Sequence, residues 1–114
     1  MKELQKFSFT PKHQRKGQPT VTFQLSPLLH GAWMYIKGEM KRGRGGLTLT
    51  PEGYAEAWRS GIVGWTGLEV EFSEDAKFDL INGAANRHVG IWQEEIAGEL
   101  IRRVLVGDPE VKNS

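Results

Sequence analysis

The chain has 114 residues, a formal net charge of +1, 39% hydrophobic residues and no cysteine. That length suits one domain, 1–114, with a core of its own, and four Trp and five Phe concentrate apolar area that a disordered chain lacks. The absence of cysteine excludes disulfides, thiolate nucleophiles and cysteine-based zinc sites. With no run near the ~20 apolar residues of a membrane-spanning helix and no signal-like stretch in Met1–Thr10, the expectation is a soluble, cytoplasmic protein without a membrane partner.

Lys6-Phe7-Ser8-Phe9-Thr10 alternates apolar with polar residues and predicts a half-buried strand. Residues 11–19 run from Pro11 to Pro19 around Gly17 and predict a mobile turn or a long hairpin loop. Thr20 to Leu25 alternates again, with Val21, Phe23 and Leu25 on one face, so the two segments predict an antiparallel pair. Such a hairpin is marginal alone and needs something packed on its apolar side. Ser26-Pro27 predicts a helix start with Ser26 as N-cap, and Leu28, Leu29, Ala32, Trp33 and Ile36 follow at helical spacing up to Gly38. Residues 41–46, Lys41-Arg42-Gly43-Arg44-Gly45-Gly46, combine three cations with three glycines and predict a flexible, exposed loop.

Thr50-Pro51-Glu52 repeats the cap-then-proline signal, Tyr54, Ala57 and Trp58 share a helical face, and Gly61 stops that helix. Gly64-Trp65-Thr66-Gly67 predicts a tight turn, and Leu68, Val70 and Phe72 alternate with Glu69 and Glu71 as a short strand would. Ser73 before Glu74 and Asp75 caps a short helix that Asn82-Gly83 closes. From Arg87 to Val106, Val89, Trp92, Ile96, Leu100 and Val104 recur in steps of three and four. This predicts an amphipathic helix of about five turns. Gly107-Asp108-Pro109 ends it, and 108–114 reads as a polar tail. The expected fold class is α+β: a small antiparallel sheet of Lys6–Thr10 and Thr20–Leu25, with Leu68–Phe72 as candidate third strand, packed against three or four helices.

No catalytic constellation emerges. His13, His30 and His88 show neither an i,i+4 pair nor His-Glu-x-x-His spacing, so they are expected to be solvated or capping imidazoles rather than part of a metal site. There is no Gly-x-Ser-x-Gly elbow, and Glu69/Glu71 and Glu94/Glu95 lack a companion base in a recognisable frame. An enzyme is not expected, nor is a cofactor. Charge is uneven along the chain: residues 1–50 carry nine Lys/Arg and two acids, and residues 51–114 carry six and twelve. The halves are thus about +7 and −6, which fits either a basic face for an acidic partner or charges scattered over one surface. The 41–46 segment lacks the Gly-Lys-Ser/Thr ending of a phosphate loop. Its Lys41, Arg42 and Arg44 fit either an Arg-Gly-Gly segment reaching nucleic-acid phosphates or a solubilising loop. Trp33, Trp58 and Trp92 are expected in the core. Trp65, between Gly64 and Gly67, is expected to project as a half-exposed partner anchor, the alternative being a lid packed over the core.

Gly64-Trp65-Thr66-Gly67-Leu68, then Phe72-Ser73-Glu74, then an amphipathic helix, then Lys112-Asn113-Ser114, with Phe23-Gln24-Leu25 in a preceding strand, resembles a pattern in small proteins of tailed-phage structural gene clusters. Those are similar to tail-assembly chaperones. The resemblance covers the second half well and the first half loosely, and the stretch 37–46 has no counterpart in it. It implies a non-enzymatic protein that binds a phage tail protein, the tape measure or the tail tube, before assembly in the bacterial host cytoplasm. A virion component from the same gene neighbourhood would share the pattern. The partner-binding candidates are Gly64, Trp65 and Gly67. The alternative is a small nucleic-acid-binding or regulatory protein using Lys41, Arg42 and Arg44; nucleic acid ranks below protein as the partner. The sequence leaves self-association as a homo-oligomer open.

Overall fold

A computed structural model describes residues 5–43, 45–83 and 86–106. The two alternating segments pair as antiparallel strands β1 (Phe7–Phe9) and β2 (Thr22–Leu25), with Phe7 opposite Leu25 and Phe9 opposite Phe23. Alternation carries Phe23 and Leu25, with Val21 just before the strand, into full burial, while Thr22 and Gln24 stay partly exposed. Helix α1 (His30–Gly38) follows, then strands β3 (Met40–Gly43) and β4 (Gly46–Leu49), α2 (Pro51–Gly61), β5 (Ile62–Thr66), α3 (Glu74–Asn82) and α4 (Arg87–Val106). One sheet has the order β1-β2-β5, and β3 and β4 form a second, two-stranded one. The described residues thus make a small α+β domain, in which no helix is long and apolar enough to cross a membrane.

Three expectations change. The third strand is Ile62–Thr66, not Leu68–Phe72. Its register with β2 sets Phe23 opposite Trp65, Gln24 opposite Gly64 and Leu25 opposite Ile62, so Val63 is an extra residue on β5. That bulge lets Ile62 and Trp65, three positions apart, both be buried, and it erases the period of two from the sequence. Helix α1 begins at His30 rather than after Ser26; Leu29 is extended at its edge, and the Ser26 amide donates to Gly61 O at 2.8 Å instead of starting a helix. Of the 41–46 segment, Lys41–Gly43 and Gly46 lie in strands rather than a loop: Lys41 faces Thr48, Arg42 faces Leu47 and Gly43 faces Gly46 across a hairpin. Arg44 and the expected polar tail 108–114 lie outside the described residues.

The core is organised around Phe23. Its ring meets Trp58, Trp65 and Trp92 edge-on, with centroids 5.8, 6.3 and 5.8 Å away. Each of these indoles also donates its N–H to a backbone carbonyl: Trp58 to Lys77 O, Trp65 to Val70 O and Trp92 to His13 O, all at 2.9–3.0 Å. A buried indole N–H without an acceptor would be costly, so each Trp ties a different peripheral segment to the centre. Two of the three N-caps read from sequence form. Thr50 accepts from Gly53 N at the start of α2, and Ser73 accepts from Ala76 N at the start of α3. Helix α4 spans the expected residues and buries Val89, Trp92, Ile96 and Leu100.

Candidate interaction surfaces

Trp65 is only 8% exposed. It sits inside β5, with Phe72 edge-on at 5.0 Å, and its bond to Val70 O folds residues 67–70 back over the strand end. This corrects the expectation of a projecting turn: β-pairing to Phe23 leaves the side chain no outward direction. Gly67 has a structural reason of its own. Its φ is +89°, and a Cβ there would lie 2.0 Å from Thr20 O, so only glycine fits the approach of β5's end to the start of β2. Gly64 lies opposite Gln24 in the ladder. The partner-binding set chosen from sequence therefore lies in and beside a strand of the main sheet.

The basic segment stands on the hairpin. Lys41 and Arg42 are exposed and make no ion pair among the described residues. The base of the hairpin is anchored by buried Leu49 and by Thr50, whose amide and hydroxyl both bond Glu39. Beyond that base, Leu47 and Thr48 are also exposed.

Helix α1 leaves several large apolar side chains open. Of its nine residues only Ile36 is buried, while Leu29 at its start is 66% exposed, Met34 50% and Tyr35 48%. Leu29 and Tyr35 border a cleft of about 590 Å³ between α1 and α2, lined by Leu29, Ala32 and Tyr35 on one side and Glu56, Arg59 and Ser60 on the other. Burial works to raise the Glu56 pKa, but hydrogen bonds from Arg59 and Ser60 and the Arg59 charge outweigh it and hold the carboxyl below the usual range. The cleft thus offers an apolar wall and a fixed, charged wall. Sequence reasoning assigned Leu29 to a helix interior face, because the misplaced start at Ser26 put it on the apolar stripe.

A fourth feature had no local signal. Residues 11–19 are a strap across α4. Gln14 bonds both the amide and the carbonyl of Val21 and the Pro11 carbonyl. Glu95 accepts the amides of Lys12 (2.8 Å) and His13 (3.1 Å). The His13 Nε2 meets His88 Nδ1 at 2.7 Å. Arg15 lies over the Trp92 ring at 5.8 Å and bonds Glu69 and Gly67 O. The two histidines are thus paired rather than solvated, and among the described residues no third ligand joins them in a metal-binding group.

No family model matches the chain, and neither the curated proteins nor the solved structures contain a significant match to it.

Proposed function

We propose that the chain is a non-enzymatic binding protein that acts through protein–protein contacts on its α1 face, in the manner of a small tailed-phage tail-assembly protein working in the bacterial host cytoplasm. The observation that carries this is the pair Leu29 and Tyr35, large apolar side chains left open along a cleft with a charged wall, with Met34 also exposed on the same helix. Contiguous apolar surface next to a concavity is characteristic of interaction sites, and a Tyr on a helix offers contact area at little entropic loss. The resemblance of the Gly64–Leu68 and Phe72–Glu74 segments to tail-assembly proteins supplies the partner class, a tape-measure or tail-tube protein. The test is co-expression with the tape-measure and tail-tube proteins of the same gene cluster. Leu29→Asp and Tyr35→Asp should keep the wild-type melting temperature and lose more than about 1 kcal/mol of capture. Unchanged capture by both variants would refute the assignment to this face.

A second reading has one observation in its favour. Lys41 and Arg42 are exposed on a hairpin with no acid paired to them among the described residues, and a basic ribbon suits nucleic-acid phosphates. Binding of that kind weakens steeply with salt, because neutralised phosphates release counterions. Micromolar binding of duplex DNA at physiological salt, abolished by Lys41→Ala with Arg42→Ala, would favour it over the first.

A further inference from the structure

We propose that His13 and His88 form an acid-sensitive clasp that holds the 11–19 strap against the start of α4. It stands independently of the binding role proposed above. The two ring nitrogens meet at 2.7 Å, and both residues are partly buried. The ring centroids are 4.9 Å apart and the planes 28° from parallel. That separation is close to the most that the nitrogen–nitrogen distance and two ring radii allow. The nitrogens therefore point at each other along one line, and the rings do not stack face to face.

Such a contact needs one N–H and one lone pair. Two neutral rings supply both. A pair holding one extra proton supplies them too, and its charge-assisted bond is stronger. A second extra proton sets N–H against N–H and two positive charges side by side. The surroundings do little to offset that charge. Lys12 and Arg15 on the strap and Arg87 on α4 are cations. His88 is in the first turn of α4, at the positive end of a 20-residue helix with no acid in that turn. The two carboxylates nearby are outnumbered by these cations: Glu95 accepts the Lys12 and His13 amides and keeps its charge, and Glu69 is paired with Arg15.

The clasp matters because His13 is fastened to α4 at three points: its amide to Glu95, its carbonyl to the Trp92 indole and its ring to His88. Imidazole is the side chain that changes charge between about pH 5 and 8. Mild acid therefore cuts the ring-to-ring tie. With that tie lost, the Glu95 and Trp92 bonds alone hold His13 to α4 and open more often, while the Gln14 and Arg15 ties keep the rest of the strap in place.

The experiment is amide hydrogen exchange of the full chain by NMR, expressed as protection factors at about pH 7.5 and about pH 5. In wild type, protection of the Lys12 and His13 amides should fall about tenfold or more on acidification, while Ile96 and Leu100 in the core keep theirs. His88→Asn places an amide oxygen where Nδ1 stood, an acceptor that does not titrate, so His13 can donate to it in either charge state. In that variant the loss should shrink to about twofold or less. Equal protection of Lys12 and His13 at both pH values in wild type would overturn the proposal. So would an equal acid loss in His88→Asn, or a loss shared evenly by Ile96 and Leu100.

Discussion

Two glycine-bracketed segments of this chain look alike in sequence and have opposite fates. Gly43 and Gly46 pair at the end of an exposed hairpin, and Gly64-Trp65-Thr66 runs through the main sheet with its Trp buried and Gly67 just beyond it. The glycines do different jobs. Gly46, at φ +107° with open space around it, serves a turn. Gly67, at φ +89°, is hemmed in by the backbone of Thr20 and Val21 and serves a close approach. What separates the two is the side chain between them. A Trp gains by leaving water and finds Phe23 and Phe72, whereas Lys41 and Arg42 beside the other turn gain nothing from burial. Glycine spacing marks where a backbone turns or comes close; it does not mark a surface.

The comparison breaks most visibly at Trp65. Trp65→Ala should cost about 3–5 kcal/mol, because it empties the space between Phe23 and Phe72 and orphans Val70 O. Chemical denaturation showing under about 1 kcal/mol would mean that the side chain is not part of the core. Gly67→Ala comes next, at about 2–4 kcal/mol, since a Cβ meets backbone rather than a side chain that can move. The matching change in the hairpin, Gly45→Ala, meets nothing within 4 Å and should leave the melting temperature nearly unchanged. Lys41→Ala with Arg42→Ala should likewise stay within about 0.5 kcal/mol of wild type. A stability loss from the hairpin changes as large as that from Gly67→Ala would erase the distinction between the two segments.

Much of the fold was legible because its signals are local. Thr50-Pro51 and Ser73 cap the helices they announce, and the stripe from Val89 to Leu100 lies on the buried face of α4. What escaped depends on distance. The Val63 bulge follows from β5's register with β2, and no pattern within residues 62–66 reveals it. The Leu68–Phe72 alternation is real in sequence, but the Trp65 bond to Val70 O takes that backbone out of any ladder. Lys77, a cation in a short helix, is 2% exposed. Its Nζ bonds Arg59 O and Ile62 O where α2 ends and also Glu74, a cation at the negative end of a helix. His13 and His88 are 75 positions apart and meet only because the strap lies on α4. The α1 face was hidden for a different reason: Ser26-Pro27 carries a helix-start signal, but the Ser26 amide is taken by Gly61 O. The helix starts later, leaving Leu29 outside.

The central claim is that partners are met on α1 and not on β5. Hydrogen–deuterium exchange of the chain with and without a co-expressed tape-measure or tail-tube protein tests it most directly. Binding should slow exchange in His30–Gly38 and at residues 56–60 of α2, the two sides of the cleft. Exchange in Ile62–Thr66, already slow in the core sheet, should be unaltered. Slowing confined to Met40–Leu49 or to residues 64–70, with α1 unchanged, would contradict the account.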